Sequence, residues 1–315
     1  MEKLEPLSLK GIKTIPLKER KSRVNLKMFG RRYSRGESVA QFLDGLPQIL
    51  GAQDLREIID RIVRAKQGGK NIILGMGAHV IKVGLSPIII QLMEERVISG
   101  IALNGAGAIH DAEVALEGKT SEEVETELDL GKFGMAEETA TFINNGVAEG
   151  IELGRGIGAS LGEKIIRDKL PHGRMSILAQ GSKLDIPITI HVAIGTDIIH
   201  LHPSFKPSAW GEGTHLDFRR FSTLVSSLEG GVYLNVGSAV ILPEVFLKAL
   251  TLVRNKGFKV DHFTTVNMDF IRHYRPLTNV VTRPTRRGGK GYNLVGHHEI
   301  MVPLLAAGIL ERLGT

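Results

Sequence analysis

Two glycine turns, each closing an apolar run of strand length, leave a chain few folds to choose from. Residues 71–115 read NIILGMGAHVIKVGLSPIIIQLMEERVISGIALNGAGAIHDAEVA. The run Asn71-Ile-Ile-Leu74 leads into Gly75-Met-Gly77, Val80 to Arg96 carries apolar residues at helical spacing, and Ile98 to Leu103 leads into Asn104-Gly-Ala-Gly107. Strand, turn, helix, strand, turn is a βαβ unit, whose two strands run parallel because the helix carries the chain back. Both glycine turns then lie at the carboxyl ends of strands, where open parallel sheets hold ligands. Glycine lets a backbone approach a bound group because it lacks a Cβ. The strict dinucleotide spacing places a third glycine at position 80, where this chain has Val80. Two readings therefore stand: ligand-cradling turns, or turns that are merely tight. Polar neighbours favour the first, with His79 after one turn and Asn104, His110, Asp111 and Glu113 around the other.

The rest of the chain bounds what such a unit can serve. Its 315 residues suffice for one large α/β domain or two small ones, and 42% hydrophobic with 23% charged residues is a globular composition. No run reaches the roughly 18 apolar residues of a membrane span, and no signal-like segment opens the chain, so a cytoplasmic protein without membrane contact is expected. With no cysteine, thiolate nucleophiles and thiolate metal sites are excluded. The net charge of +6 is concentrated at one end: residues 1–36 hold eleven Lys and Arg against three Glu. This basic arm lacks the interleaved aromatics of a nucleic-acid binder, and its prolines and apolar residues suit packing on a neighbouring subunit. The expected organisation is an arm over 1–36 and a single α/β domain over 37–315, with no nucleic-acid partner.

Along that domain the pattern predicts a short helix to about Leu50, then a longer one capped by Asp54 with Leu55, Ile58, Ile59, Ile62 and Val63 on its buried face. Residues 119–170 read as helical, starting with a cap at Thr120 and bending at Gly154-Arg-Gly-Ile-Gly158. Further strands are expected over 187–194, 232–236 and 263–266, with helices over 176–184, 216–228, from Pro243 onward, and over 297–310. The stretch 272–296 reads as one long polar loop, a length usually reserved for function or disorder. At least five parallel strands with crossing helices make a doubly wound, mostly parallel α/β sheet.

Chemistry collects where those strands end. His79, Asn104, Asp111, Asp197, His200, His202, Asn267, Asp269 and residues 283–299 all follow strands at one edge. Many polar groups converging on one crevice argue for a site, where a single one would not. His200-Leu-His202 has the alternate spacing of a metal pair, but no glutamate-bearing zinc helix accompanies it, and no metal is expected. Arg283-Pro-Thr-Arg-Arg-Gly-Gly-Lys-Gly-Tyr292 reads either as a solvated basic loop or as a mobile loop delivering Lys290 into the crevice. Neighbouring cations such as Arg286 and Arg287 would depress the lysine pKa and free its amine for imine formation.

These segments, in this order, resemble deoxyhypusine synthase and its bacterial relatives. Leu74-Gly-Met-Gly-Ala-His-Val-Ile-Lys-Val-Gly84 resembles that family's first NAD-contacting glycine turn, and Asn104-Gly-Ala-Gly-Ala-Ile-His-Asp111 its second. The strand from Ile186 to Asp197-Ile-Ile-His-Leu-His202 resembles the one ending in an amine-binding aspartate. Val236-Gly-Ser-Ala239 and Thr265-Val-Asn267 resemble its cofactor-side turns, Gly288-Gly-Lys290 its lysine segment and Val302-Pro-Leu-Leu305 its closing helix. The resemblance spans about residues 70–310. It implies a Rossmann-like fold that binds NAD and an aminoalkyl transferase acting on a carbon–nitrogen bond through a lysine imine. It also implies a polyamine-type substrate and a homodimer or homotetramer. The implied catalytic residue is Lys290, with substrate contacts from Asp197, His200, His202 and Glu244. The implied cofactor contacts are Gly77, Ala78, His79, Asn104, Gly105, Ala106, Gly107, Asp111, Gly237, Ser238, Val266, Asn267, His297 and His298.

The chain departs from the family at the substrate end. Gly289 stands where the family has tryptophan, and Arg272, Arg275, Arg283, Arg286 and Arg287 stand where it has acidic groups. A basic wall repels a polyamine and attracts a carboxylate or phosphate. Two alternatives follow: an NAD-dependent oxidoreductase or lyase acting on an anionic amino compound, and a nucleotide-binding regulatory protein without catalysis. Under either enzymatic reading the partner is a small-molecule amine or amino acid.

Overall fold

The computed structural model describes residues 4–314. Six strands form one sheet: β1 (Ile72–Met76), β2 (Gly100–Asn104), β3 (Ile188–His191), β4 (Val232–Val236), β5 (Thr264–Asp269) and β6 (Lys290–Val295). All pair in parallel, in the order β3-β2-β1-β4-β5-β6. The chain leaves β1 for one side of the sheet and β4 for the other, so the order reverses between them. That reversal defines the doubly wound α/β fold and puts a crevice at the carboxyl ends of β1 and β4. The doubly wound α/β expectation is met.

β1, β2 and β4, in the middle of the sheet, are nearly continuous apolar runs because both sheet faces are covered there. Ile72, Leu74 and Met76 face the larger core and Ile73 the smaller, the alternation a pleated strand imposes. On the larger side pack α1 (Val39–Gly45), α2 (Leu50–Gln67), the pair α3 (His79–Lys82) and α4 (Ser86–Glu94), and α5 (Gly105–Glu117). After α6 (Val124–Asp129) come α7 (Glu137–Glu152), α8 (Ile157–Arg167) and α9 (Ile177–Lys183), also on the larger core. The smaller core lies under α10 (Pro207–Ser226) and α11 (Ile241–Asn255), where Tyr233 stacks on Phe246 with centroids 3.9 Å apart. A short α12 (Tyr274–Pro276) leads through the π-helical turn Leu277–Thr282 towards β6, and α13 (His298–Leu313) closes the fold. Among the described residues no helix is long and apolar enough to cross a membrane.

Several boundaries differ from expectation for local reasons. The first helix ends at Gly45, short of the expected Leu50; it opens at Ser38, whose hydroxyl accepts from the Gln41 amide while the Gln41 side chain accepts from the Ser38 amide. Asp54 caps nothing: α2 already begins at Leu50, and Asp54 sits in its second turn. The helix expected over 80–96 breaks at Gly84, whose φ of +79° reverses the chain between α3 and α4. Thr120 does not cap α6; its hydroxyl is held by His110 and Glu113. The bend at 154–158 is as expected. There Gly156 and Gly158 are pressed against the Asp217 carboxylate and the Ile188 carbonyl, which leave no room for a Cβ.

The largest difference is β6, in the stretch read as a loop. It is an edge strand that turns Tyr292 and Leu294 inward and leaves Lys290 and Val295 exposed. Its glycines and asparagine are poor strand formers. What fixes it is a buried amide ladder across three strands: Asn235 donates to Asn267 and Asn267 to Asn293, each at 2.8 Å.

Candidate functional site

The crevice at the carboxyl ends of β1 and β4 is built by contact between two backbones. The Gly77 amide donates to the Val236 carbonyl at 2.9 Å, and a Cβ on Gly77 would overlap the Gly237 carbonyl. Gly237 has φ +67°, and a Cβ there would lie 2.8 Å from the His298 ring. Both glycines are therefore required by close approach within the protein, and the small residues Gly77, Ala78, Gly237 and Ser238 form the crevice floor.

Four rings gather beside that floor. His298, in the first turn of α13, is fully buried, 5.3 Å from the His79 ring and 5.7 Å from Phe270. Burial lowers its pKa, so its imidazole is neutral near pH 7. Its Nε2 faces the Met268 carbonyl at 3.4 Å and the Asp269 carboxylate at 3.9 Å, while its Nδ1 is buried without a protein partner. His297, largely exposed, lies parallel to Phe270 at 6.3 Å. Under the floor, Asn235 donates to the Ser238 carbonyl at 2.9 Å, and its own Oδ1 is buried without a donor. A buried acceptor and a buried ring nitrogen, both unpaired, suit a group that brings donors and acceptors of its own.

A second locus lies over β2 and β3. Asn104 caps α5 by accepting from the Gly107 amide at 3.0 Å. The carboxylate of Asp197 closes over the same helix start: it accepts from the Ala106 amide and fills the space a Cβ on Gly105 would need. Burial pushes Asp197 up to about 6. Beside it a cavity of about 200 Å³ is lined by Lys82, His110, Glu113, Glu122, Thr196 and Asp197, with apolar walls. One cation therefore faces three carboxylates.

Of the expected cofactor residues, Gly77, Ala78, His79, Gly237, Ser238, His297 and His298 meet at the crevice. Asn104, Gly105, Ala106 and Gly107 stand one strand away, in the α5 start that Asp197 covers. Three do other work. Asp111 is fully buried, accepting from the Ser176 hydroxyl and the Ile177 and Leu178 amides, so it holds the start of α9. Val266 is in the apolar core, and Asn267 is consumed by the amide ladder.

Among the expected substrate residues only Asp197 lines the cavity. His200 accepts from the Gly195 and Asp197 amides and packs on Phe205 and Trp210, shaping the loop that presents Asp197. His202 bonds Ser204 at 2.7 Å. Glu244 is taken by Lys248, by Asn279 at 2.7 Å and by Arg275. Among the described residues no group of three His, Asp or Glu is placed to hold a metal.

Lys290 is not brought to the crevice. It opens β6, paired in register with Thr264 at the amino end of the sheet, and its Nζ donates to Glu57 at 2.6 Å. The Glu57 hydrogen bond raises the lysine pKa, and Lys290 first among several donors pulls Glu57 down to about 2. Arg287 turns instead to Asp261 at 3.7 Å. The expected mobile loop with a depressed amine is thus replaced by a charged lysine in a strand. Phe270 and Lys82, both at these loci, carried no signal in the sequence: one follows a strand end directly, and the other sat inside an expected helix.

No protein-family model matches the chain, and no curated protein does. Solved structures share its fold. They include the arginine dihydrolase ArgZ of the ornithine-ammonia cycle in cyanobacteria (TM-score 0.52, 16% identity, 84% of this chain and 33% of that one). AgrE, solved as a ternary complex with ornithine and NAD+, gives a TM-score of 0.56 at 13% identity over 84% of this chain and 34% of that one. A protein described as a deoxyhypusine synthase from Entamoeba histolytica gives 0.50 at 11% identity, over 90% of this chain and 96% of that one. The chain spans about a third of ArgZ and AgrE.

Proposed function

We propose that this chain binds NAD across the crevice between β1 and β4 and oxidises or reduces a small amino acid held over β2 and β3. The observation that carries the reading is the glycine floor at the point where strand order reverses, flanked by His79, His298 and Phe270 over two unpaired buried polar atoms. NAD supplies hydride transfer when bound. Gly77, Ala78, Gly237 and Ser238 would support it, and His298 Nδ1, beside that floor, would meet one of its polar groups.

Lys82 is what suits the cavity to an amino acid, because a polyamine has no carboxylate for it to meet, and the three carboxylates leave a place for a second ammonium. An amino acid needs a cation for its carboxylate and an anion for its ammonium; Lys82 and Asp197 line one cavity. The structural likeness to AgrE, crystallised with ornithine and NAD+, fits that reading. Transfer through a lysine imine has no support from the position of Lys290, so the oxidoreductase or lyase reading is preferred to the aminoalkyl transferase.

Calorimetric titration with NAD tests the cofactor, and reduction of NAD in the presence of a panel of amino acids and polyamines tests the substrate. NAD binding in the micromolar to millimolar range with turnover of an amino acid is expected. No heat at millimolar NAD overturns the reading; turnover of polyamines alone overturns the substrate class.

A further inference from the structure

The basic arm and the acidic helix α6 are complementary surfaces, and the single chain leaves both uncovered. From residue 4 to residue 27 the arm makes only local backbone hydrogen bonds. It meets the body where the Met28 carbonyl accepts from Gln48 and the Arg31 amide donates to Gly45. Its apolar side chains point into solvent: Leu4 is 99% exposed, Leu7 91% and Leu26 81%, with Leu9, Ile12, Ile15 and Leu17 also exposed. Among the described residues Lys10, Lys13, Lys18, Lys21 and Arg23 form no ion pair. With Val24, eight exposed apolar side chains on a cationic strip are far more than scattered surface hydrophobics explain.

The opposite surface is residues 121–130, SEEVETELDL, with five acidic residues and no basic one. On α6, Val124 and Leu128 stand one turn apart, 44% and 61% exposed, and Leu130 and Met135 continue the apolar strip. Glu123, Glu125, Glu127 and Asp129 form no ion pair among the described residues. Charge sign and apolar content match on the two surfaces. Arm and α6 also meet different parts of the body: α1, beside the arm's anchor, packs on α13, while Glu122 holds the Gly134 amide in the segment against Ile198, near β3. Fully extended, 24 residues reach about 80 Å, ample for a neighbouring molecule.

We propose that the arm of one subunit docks along α6 of a second copy of this chain, burying Leu4 to Leu17 against Val124, Leu128 and Leu130 and pairing its lysines with Glu123, Glu125 and Glu127. Glu122 and Val124 also line the cavity beside Asp197, so the docked arm covers the flank of the candidate substrate site. The docking itself does not depend on what that site binds.

A charge-exchange experiment tests this on the full chain. One variant carries Glu123→Lys, Glu125→Lys and Glu127→Lys; the other carries Lys10→Glu, Lys13→Glu, Lys18→Glu and Lys21→Glu. Six of the seven positions are exposed and Glu127 is half-buried, and circular dichroism confirms that each variant folds. Light scattering at micromolar concentration should find the parent associated, more weakly as salt rises, because exposed charges are screened. Each variant alone should associate at least about tenfold more weakly. An equimolar mixture should restore the association, since each arm then meets an α6 of opposite sign. A monomeric parent, variants that associate as the parent does, or a mixture that stays dissociated each overturns the proposal. The first result marks an arm folded onto its own α6, and the last an arm that docks on another surface.

Discussion

Asp111 shows how one carboxylate can resemble a ligand and serve the scaffold. It sits two turns into α5, behind a glycine turn, where a cofactor contact is plausible. Its three donors all come from the start of α9, and burial pushes its pKa up to about 6 from 3.8. Asp111→Asn should therefore leave NAD affinity unchanged. It should cost about 1.5–3 kcal/mol of stability at low pH, because one acceptor becomes a donor facing donors. The sign of the pH dependence follows from the raised pKa. The stability contributed by the protonated carboxyl is complete below the unfolded value and is lost as pH rises through about 6. Over that span the parent loses of the order of 3 kcal/mol that the non-titrating asparagine does not. Urea unfolding of both proteins at about pH 5 and about pH 7.5 should show the gap narrowing as pH rises. A gap that stays constant would mean that the three hydrogen bonds outweigh desolvation and hold Asp111 ionised at both pH values. A changed NAD affinity would return Asp111 to the site.

The turns make a sharper test than the helices or strands. Gly84 and Gly237 both have positive φ, at +79° and +67°, but Gly84 has open space around it while Gly237 abuts His298. Alanine at either position should cost about 1 kcal/mol in backbone strain. Only Gly237→Ala should also displace His298 and weaken NAD binding, by about tenfold or more; Gly84→Ala should bind as the parent does. Equal affinities for the two variants would remove the His298 face from the cofactor site. The same contrast explains what could be read in advance. Apolar runs such as Val232–Val236 and the bend at 154–158 announce themselves through composition. The break at Gly84 does not, because glycine in a helical pattern is often tolerated. Strand β6 could not be seen because its cause, the Asn235–Asn267–Asn293 ladder, joins residues far apart in sequence. At the site, the glycine floor and His79 were legible from the βαβ pattern. The pairing of His298 with Gly237 was not, since it depends on how α13 returns across the sheet.

The sheet as a whole has two ends, and the position of Lys290 depends on which end β6 presents it to. Because all six strands are parallel, every carboxyl end lies on the crevice side and every amino end on the other. Lys290 begins β6, and Val295, at its far end, leads directly to His297 and His298. At about 3.3 Å per residue the strand holds the two ends roughly 17 Å apart, well beyond the reach of a lysine side chain. The lysine is instead part of an amino-end cluster in which Glu57 accepts from both Lys290 and Tyr292 at 2.6 Å. Lys290→Arg and Lys290→Gln should thus leave NAD affinity and turnover at parental values. Lys290→Gln should lower stability by no more than about 1 kcal/mol, because the pair is half exposed and Glu57 keeps the Tyr292 hydroxyl. Borohydride added during turnover should leave Lys290 unmodified by peptide mass spectrometry. Loss of turnover in a folded Lys290→Gln protein that still binds NAD, or an adduct on Lys290, would mean that a second subunit brings the amino end of one sheet to the crevice of another. The active unit would then be an assembly in which β6 crosses between sites.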